Sequence, residues 1–533
     1  MRGAALDAVV IGAGTNGLAA ALTLARAGKQ VVVLESAEAI GGMGRPIEVA
    51  PGFRVGPVEG DAGWLPPETA RALGLTGLTT VTPEIPLTVA AGPGEFLSLA
   101  RDPAAAVASI RRRSAPDAER WPAFVDLVHD LAGFLGVLYQ RPAPEIGASG
   151  LGELAALAGL GRRLRGLGRN RMVDLLRVLP MPVQELLDDR FDSPLLKAAI
   201  GAGGIQGICQ GPRSGGTSFV LLHHLTGAPR GVLRGRGQWA RGHEDLATAL
   251  GGAARARGVT VRTGARVERI LVRDDRVTGV ALASGEALKA PLVLSTASPG
   301  RTLLGLVEPV WLDPELLLAV RNIRYRGVES RVIFALDGMP EFPGLADPSQ
   351  ALAGVVSLTS TLDALERAFD AAKYGSESET PHVEVSIPSI AEPALAPEGK
   401  HVMVARVQYT PYSLREGAWD EPRAATLGDR VLRALTAVAP GFADRVVRSV
   451  VLTPADLEAR FGLPEGATSH GELGLDQILF MRPVPGLGRH ATPVHGLYLA
   501  GAGTHPGPGI AGGAGWLAAK RALKAGTGRG NGP

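Results

Sequence analysis

The feature that most constrains this chain is a glycine-rich turn near its start. A short apolar run, Ala8–Ile11, leads into Gly12–Gly17 with the sequence GAGTNG, and the alanine-rich stretch Leu18–Ala27 predicts a helix. A second apolar run, Val31–Leu34, ends at Glu35. Strand, glycine turn, helix, strand and acid in this order, within about thirty residues, predict a βαβ unit that binds a dinucleotide.

Each residue type has a physical role in such a unit. Gly12 permits the tight turn, Gly14 lets the backbone approach a pyrophosphate, and Gly17 lets the helix lie close to the strand. The free N–H groups and partial positive charge of the helix N-terminus favour phosphate. Glu35, twenty-three residues after Gly12, is placed to bind ribose hydroxyls. A carboxylate there would repel a 2′-phosphate, which argues against NADP at this site.

Composition excludes several other classes of protein. With 533 residues the chain is too long for one hydrophobic core, and 45% hydrophobic against 20% charged residues excludes a disordered chain. A net charge of +3 gives no indication of nucleic-acid binding. The single cysteine, Cys209, excludes intrachain disulfides, dithiol redox pairs and multi-cysteine metal sites, and favours a cytoplasmic location.

No transmembrane helix is expected, because no stretch of 18 or more residues is free of charged or strongly polar groups. The nearest candidate, Ala4–Ala25, is interrupted by Asp7 and Asn16. The segment Leu154–Leu187 is leucine-rich with interleaved arginines and predicts helix. It is interpreted as a packed surface helix, with peripheral contact to the inner face of a membrane as the alternative.

Several motifs lie far from the first turn. Gly41-Gly42 follows Glu35 by six residues, and the C-terminal part of the chain carries HGEL at 470–473, RPVPG at 482–486 and GLYLAGAGTHPG at 496–507. Together with the first turn, these motifs resemble the phytoene-dehydrogenase-like FAD oxidoreductase family, which contains carotenoid desaturases. In many members an arginine directly follows the glycine pair, whereas Met43 and Gly44 intervene before Arg45 here.

The resemblance implies an α/β fold: a Rossmann-type FAD-binding domain of the amine-oxidase and phytoene-desaturase kind with an inserted mixed α+β substrate domain. The implied FAD-binding domain is discontinuous, over 1–84, 235–299 and 471–533, and the substrate domain comprises 85–234 and 300–470. The residues expected to hold FAD are Gly12, Gly14, Thr15, Asn16, Gly17, Glu35, Ser36, Gly41, Gly42, Gly44, Val267, Gly501, Gly503, Gly512 and Gly513.

Two of these expectations have a specific reason. In the family, the backbone of the strand at Val267 lies near the adenine. At the other end of the chain, Leu497–Ala500 predicts a buried strand, and Gly512-Gly513 opens a helix that continues to about Leu523. A helix N-terminus aimed at the flavin N1 and C2 carbonyl would stabilise the anionic reduced ring.

A second glycine motif does not indicate a second nucleotide site. Gly507–Gly512 matches GxGxxG, but 21 residues remain after it and no strand ending in an acid follows. Electrons are therefore expected to leave through oxygen, a quinone or another bound acceptor.

The candidate catalytic residues are His505, His470 and Glu472. His505 falls in the turn before the last helix, where it either contacts flavin or substrate or is a turn histidine bonded to backbone. His470 and Glu472 form either an acid–base pair or an ion-paired loop. No metal site is predicted, since the ten histidines are scattered.

The predicted activity is that of an FAD-dependent oxidoreductase, a desaturase or dehydrogenase that takes hydride from an apolar or amphipathic small molecule. An amine or amino-acid oxidase is the first alternative, although only Tyr498, Trp516 and Trp239 are aromatic residues near the motifs. A redox-neutral isomerase or saturase and a flavin-stabilised non-catalytic scaffold are the others. The sequence indicates neither an oligomeric state nor a nucleic-acid partner.

Overall fold

The computed structural model describes residues 5–57, 63–75, 78, 80–144, 151–234, 238–239 and 242–527. Its strands are β1 (Ala8–Ile11), β2 (Val31–Leu34), β3 (Ile47–Ala50), β4 (Phe53–Val55), β5 (Thr80–Val81), β6 (Leu87–Gly92), β7 (Glu95–Leu99), β8 (Gln238–Trp239), β9 (Thr260–Arg262), β10 (Val267–Arg273), β11 (Arg276–Leu282), β12 (Ala287–Lys289), β13 (Leu292–Ser295), β14 (Glu329–Leu336), β15 (Val355–Ser357), β16 (His382–Ser386), β17 (His401–Gln408), β18 (Val446–Leu452) and β19 (Leu497–Leu499).

The described residues also form sixteen α-helices. They are α1 (Thr15–Arg26), α2 (Pro67–Leu73), α3 (Pro103–Arg111), α4 (Ala115–Tyr139), α5 (Leu151–Gly166), α6 (Gly168–Val178), α7 (Val183–Asp188), α8 (Pro194–Gly201), α9 (Thr217–Leu225), α10 (Gly242–Ala256), α11 (Pro314–Arg321), α12 (Pro348–Ala353), α13 (Leu362–Lys373), α14 (Glu421–Val438), α15 (Pro454–Phe461) and α16 (Gly513–Thr527).

The first sheet is parallel and has the strand order β19-β13-β1-β2-β9. Every residue of β1 and β2 is buried, because these apolar strands are covered on both faces. Helices α1, α10 and α16 cover one face, and the small antiparallel sheet β10-β11-β12 contributes to the apolar core on the other. The predicted α/β class with a Rossmann-type parallel sheet is confirmed.

The predicted limits of β1 and β2 agree with the structure. Helix α1 begins at Thr15, three residues before the predicted start, because the end of the glycine turn is already helical. Strand β12 was not predicted, since Ala287–Lys289 is short and lacks an apolar run. The last helix runs from Gly513 to Thr527 rather than ending near Leu523.

The second sheet has seven strands in the order β18-β14-β17-β16-β15-β6-β7. Only its β15–β6 pair is parallel. All of its strands lie in the segments predicted for a substrate domain, and all five strands of the first sheet lie in those predicted for the FAD-binding domain. Alternation along β14 turns Val332, Phe334 and Leu336 towards α14, and turns Ile333 and Ala335 to the opposite face.

Helix α4 is the one helix in the described part of the chain that is long and apolar enough to cross a membrane by length and composition. Within its most apolar stretch, 56% of the residues are buried inside the protein. Trp121, Phe124 and Leu131 pack into the largest hydrophobic cluster, together with residues of α7, α8 and α9. A core helix meets the same length and hydropathy criteria, and the packing of α4 is that of a core helix.

The leucine-rich segment Leu154–Leu187 is divided among α5, α6 and α7 rather than forming one helix. The first break falls at Leu167, beside Gly168, which has a positive φ of 81°. The second falls between Val178 and Val183, where Pro180 and Pro182 interrupt the helical hydrogen bonds.

A candidate cofactor and substrate cavity between the two sheets

A single cavity of about 1190 Å³ reaches from the glycine turn to the second sheet. Its wall includes the β1–α1 turn, the start of β10, the segment 458–470 and the segment 507–511, and it ends on strands β14, β16 and β17. This volume exceeds the range of about 300–1,000 Å³ that is typical of small-molecule sites. The cavity is therefore large enough for a dinucleotide and a second small molecule.

Packing admits no side chain at two positions of the glycine turn, Gly12 and Gly17. Gly12 has a φ of +95°, and a Cβ there would lie 2.2 Å from Thr296 Oγ1. A Cβ at Gly17 would lie 1.9 Å from the carbonyl oxygen of Gly12. Gly12, Gly14, Thr15 and Asn16 line the cavity, whereas Gly17 packs α1 against the turn outside the lining. Gly12 and Gly17 therefore have no room for a side chain, and Gly14 is on the cavity wall.

Glu35 lies at the end of β2 and is fixed by backbone donors. Its Oε2 accepts a hydrogen bond from the N–H of Ala13 at 2.7 Å, and its Oε1 accepts one from Ala37 at 3.0 Å. The Ser36 hydroxyl donates to Oε1 at 3.3 Å. Glu35 and Ser36 both line the cavity. The side chain is therefore an oriented acceptor on the cavity wall.

The Gly41-Gly42 pair lies directly against the first turn. The Gly41 N–H donates to the Ala13 carbonyl at 2.9 Å, and a Cβ at Gly42 would come within 3.2 Å of the Cα of Gly14. Gly41, Gly42 and Gly44 line the cavity, as does Val267 at the start of β10. The two glycine turns together form a surface of bare backbone next to the N-terminus of α1.

Arg45 belongs to the same wall although it is displaced by two positions from the family pattern. Its Nη2 donates to the carbonyl of Arg460 at 2.8 Å, its Nε donates to the carbonyl of Gly42 at 3.2 Å, and its guanidinium lies 5.3 Å from the ring centre of Phe461. The Arg45 guanidinium therefore lies beside the glycine pair even though two residues separate them in the sequence.

Gly501 and Gly503 lie outside the cavity lining. A Cβ at Gly501 would lie 2.3 Å from the carbonyl of Thr296, and one at Gly503 would lie 2.5 Å from Pro299 Cδ. Their bare backbone thus allows the turn after β19 to pack closely on the turn after β13.

Gly512 and Gly513 are also outside the lining, although Ile510 and Ala511 are part of it. A Cβ at Gly512 would lie 3.1 Å from the Cβ of Ala19, and one at Gly513 would lie 2.9 Å from Ile510 Cγ2. The start of α16 therefore packs on α1, and the residues that reach the cavity are those just before the helix.

Gly515 shows the same packing more strongly, and sequence reasoning did not single it out. A Cβ at Gly515 would come within 1.8 Å of the Asn16 carbonyl, and the Gly515 N–H donates to Asn16 Oδ1 at 3.4 Å. The signal was the spacing of Gly512 and Gly515, because residues three positions apart lie on one face of a helix.

His505 is fully buried and does not line the cavity. Its Nε2 donates to the carbonyl of Arg141 at 2.8 Å, and its Nδ1 has no hydrogen-bond partner. Burial lowers the pKa of His505 to about 4, so the imidazole is neutral at physiological pH. Of the two alternatives, this geometry is that of a turn histidine bonded to backbone.

His470 and Glu472 do not form a hydrogen-bonded pair. Glu472 Oε2 accepts from Arg326 Nε at 2.8 Å, and its Oε1 accepts from the Cys209 N–H at 2.7 Å. His470 lines the cavity, its Nδ1 is buried without a hydrogen-bond partner, and burial together with Arg482 lowers its pKa to about 4. Glu472 thus belongs to an ion-paired loop, and His470 is the candidate catalytic residue that reaches the cavity.

The RPVPG motif places a buried arginine, Arg482, that links two segments of the chain by hydrogen bonds. Arg482 is 1% exposed, and its Nη2 donates to the carbonyls of Ser469 at 2.7 Å and Ala502 at 2.9 Å. It therefore joins the His470 segment to the turn after β19. A guanidinium without an ionic partner is costly to bury, and burial lowers its pKa to about 10.

Sequence reasoning missed a group of charged residues on the second sheet, here named the sheet ion cluster. Its members line the cavity, and they are Glu329 and Arg331 on β14, Glu384 on β16, Arg406 on β17, and Arg234. Arg331 Nη2 lies 3.2 Å from Glu329 Oε2, and Arg234 Nη2 lies 2.5 Å from Glu384 Oε2. Arg406 also contacts Glu384.

The alternation of β14 carried a signal for this cluster. Glu329 and Arg331 have the parity of Ile333 and Ala335, so all four point to the same face of an otherwise apolar strand. Charged residues at such positions are rarely buried without a partner. What the pattern lacked was the register that places Arg406 beside both Arg331 and Glu384.

Few aromatic residues line the cavity. Among the described residues they are Tyr325 and Phe461. Tyr498 and Trp516 belong to the core around α1 and α16, and the side chain of Trp239 lies outside the described part of the chain. The aromatic residues near the motifs are therefore not brought together as a cage.

The fold and the site define a flavoprotein oxidoreductase. A profile described as flavin containing amine oxidoreductase matches residues 181–523, and one described as NAD(P)-binding Rossmann-like domain matches residues 10–61. The chain belongs to the flavin containing amine oxidoreductase family. The resemblance to the phytoene-dehydrogenase-like group is also confirmed.

Two curated relatives and one solved structure illustrate this membership. The rat pyridine nucleotide-disulfide oxidoreductase domain-containing protein 2 is 35% identical over 96% of this chain and 92% of its own length. Hydroxyneurosporene desaturase of Rhodobacter capsulatus is 27% identical over 95% of this chain and 94% of its own length. An oxidoreductase from Methanosarcina mazei shares the fold, with a TM-score of 0.60 at 17% identity over 97% of this chain and all of that one.

Proposed function

We propose that this protein is an FAD-dependent desaturase or dehydrogenase that removes hydride from an amphipathic or apolar small molecule. The observation that carries the proposal is the continuous cavity, which joins a dinucleotide-binding surface to the wall of a separate sheet. In such an arrangement, one end can hold the adenosine part of a cofactor while the other encloses the molecule that is oxidised.

The fit of FAD to the described residues supports the choice of cofactor. Glu35 offers acceptor atoms for ribose hydroxyls, and the glycines of both turns leave backbone open to a pyrophosphate. The N-terminus of α1 has no side-chain cap, so its N–H groups are available to an anion. Val267 and Arg266 provide the wall where an adenine would lie.

The chemistry of hydride acceptance belongs to the bound flavin. The role of this chain is then to orient the substrate and to exclude water. Two polar residues on the cavity wall are His470 and Tyr325, whose hydroxyl accepts from the Gly300 N–H at 3.1 Å. A neutral His470 has an unprotonated ring nitrogen that can accept a proton from the substrate. Flavin-dependent dehydrogenation does not need such a proton acceptor for every substrate.

The first experiment is the isolation of the protein with its cofactor. The absorbance spectrum establishes whether flavin is bound, and mass spectrometry after denaturation distinguishes FAD from FMN. Anaerobic mixing with a panel of long-chain lipids, carotenoids and amines then tests the activity. Bleaching of the flavin band by a lipid-like compound supports a desaturase or dehydrogenase, and a purified protein without flavin contradicts the proposal.

An amine oxidase is the second candidate, and the family match favours it. The scarcity of aromatic residues on the cavity wall weighs against it, because amine sites on this fold hold the substrate between aromatic rings. Bleaching by amines alone in the same panel would favour this candidate. For either activity, we propose that the electron acceptor is oxygen, a quinone or another bound oxidant. Oxygen uptake during turnover would show that the acceptor is oxygen.

A further inference from the structure

We propose that Arg482 stabilises the negative charge that a bound flavin gains on reduction, through the electric field that its buried guanidinium exerts across the cavity wall. The inference rests on the proposed function and names a residue that sets how readily the cofactor accepts a hydride.

The negative charge follows from the balance of the proposed reaction. A substrate that forms a double bond loses a hydride to the oxidised cofactor and a proton to a base or to water. The cofactor therefore gains two electrons and one net negative charge. A fixed positive charge near that cofactor favours its reduced form over its neutral, oxidised form.

Arg482 lies directly behind the cavity wall. Its Nη2 donates to the carbonyls of Ser469 at 2.7 Å and Ala502 at 2.9 Å, and a Cβ at Gly507 would lie 3.6 Å from its Nε. Ser469, Ala502 and Gly507 line the cavity, whereas Arg482 itself is outside the lining. A layer of backbone therefore separates the guanidinium from the cavity.

The charge of Arg482 is not neutralised by an ion pair with any described residue. Its printed partners are backbone carbonyls, its Nη1 is buried without a hydrogen-bond partner, and Asp476 acts on it only from beyond ion-pair distance. A pKa lowered by burial to about 10 leaves the guanidinium protonated at neutral pH. Buried cations ordinarily have a carboxylate partner, so this one points to an electrostatic role.

The field of Arg482 acts on side chains of the cavity wall. Burial and, after it, the charge of Arg482 lower the pKa of His470 to about 4. Burial raises the pKa of Tyr325, and Arg482 is among the groups that oppose this rise. Both side chains line the cavity. A cofactor ring against the same wall would experience the same positive field.

Other positive groups near the cavity are less suited to this role. The N-terminus of α16 packs on α1, and Gly512 and Gly513 lie outside the lining. The arginines of the sheet ion cluster each contact a glutamate, which offsets their charge. At an effective dielectric constant of about 20, one uncompensated charge about 10 Å away shifts an equilibrium by roughly 15-fold.

The test measures the midpoint potential of the flavin-loaded protein by equilibration with a redox dye, without substrate. Arg482→Gln removes the charge but keeps a donor for the carbonyls, and Arg482→Lys keeps the charge with fewer donors. We expect Arg482→Gln to shift the equilibrium towards oxidised flavin by at least about tenfold, which is about 30 mV for a two-electron couple. Arg482→Lys should retain the potential to within about threefold in the same equilibrium.

Arg430→Gln is the matched control. Arg430 on α14 is also mostly buried and lies 3.6 Å from Glu377, outside the cavity lining. Its replacement should leave the potential unchanged. If Arg482→Gln does not fold, as judged by circular dichroism, Arg482→Met provides the neutral comparison, because an apolar side chain of similar length replaces a buried charge without an unpaired polar group.

Three results would overturn the inference. They are an unchanged potential in the neutral variant, an equal shift in Arg482→Lys and Arg482→Gln, and an equal shift in the Arg430 control. The second result would mean that the hydrogen bonds of Arg482 matter and its charge does not. Protein that neither contains flavin nor binds added FAD would contradict the proposed function itself. A flavin-loaded protein whose potential ignores Arg482 would contradict this inference alone.

Discussion

Replacing Glu35 with glutamine tests the placement of the adenosine end of the cavity. The change keeps the size of the side chain, and the amide oxygen can still accept the bond from the Ala13 N–H that now measures 2.7 Å. It removes the negative charge and supplies an NH₂ group near the Ala37 N–H, where only an acceptor fits. The turn is therefore retained largely intact while the ribose loses its charged acceptor.

The expected loss follows from the kind of bond that is removed. A hydrogen bond to a charged group contributes about 1.5–3 kcal/mol, so the dissociation constant for FAD should rise by roughly 10- to 150-fold. Apoprotein titrated with FAD, followed by quenching of flavin fluorescence, measures this change. Riboflavin and FMN lack the adenosine ribose, so their weaker binding should be the same in the variant and the unaltered protein.

Glu286→Gln is a suitable control for this experiment. Glu286 pairs with Arg262 on the neighbouring strand β9 at 2.6 Å, at the surface and away from the cavity lining. Its replacement should leave FAD affinity unchanged. If Glu35→Gln retains FAD within twofold of the unaltered protein, Glu35 is not the ribose ligand, and the adenosine end is not beside Glu35.

Three further predictions concern the last turn, acid stability and electron donors. Gly513→Leu would crowd Ile510 on the cavity wall, so we expect folded protein with less flavin per chain by absorbance; full occupancy would contradict this. His490 and His505 have pKa values lowered by burial to about 3 and about 4, so the unfolded chain binds more protons below pH 6.5. The unfolding free energy should fall as pH drops from 6.5 to 4, by up to about 3 kcal/mol for each histidine, and His505→Leu should reduce that slope in pH-dependent calorimetry. NADPH should not reduce the flavin with saturation in stopped-flow measurements, and a defined NADPH binding constant would refute this.

The parallel sheet could be predicted from sequence because its determinants are local. Ala8–Ile11 and Val31–Leu34 are continuous apolar runs, as strands buried on both faces must be, and the glycines between them permit one compact turn. Glu35 follows the second run directly, so its position at the carboxyl edge of the sheet is fixed by the chain itself. The cofactor end of the cavity was therefore accessible to reasoning from residues a few positions apart.

The contacts of the C-terminal motif could not be predicted from neighbouring residues in the sequence. The glycines at 501, 503, 512 and 513 were expected to approach a cofactor. A residue without a side chain is equally necessary where two segments of the chain pack closely. Gly513 and its neighbours pack on Ile510 and α1, and His505 is bonded to the Arg141 carbonyl, 364 positions away. Nothing near His505 in the sequence indicates that acceptor.

The charged wall of the cavity on the second sheet was decided by tertiary structure alone. It combines Arg234 with residues of three strands, and Glu329 and Arg406 meet only because β14 and β17 pair in one antiparallel register. A shift by one residue would turn these charges to the opposite face. The sequence by itself determined the dinucleotide turn, whose parts are joined by short chain segments. The strand register, which depends on packing across the whole second sheet, determined the polar wall at the other end of the cavity.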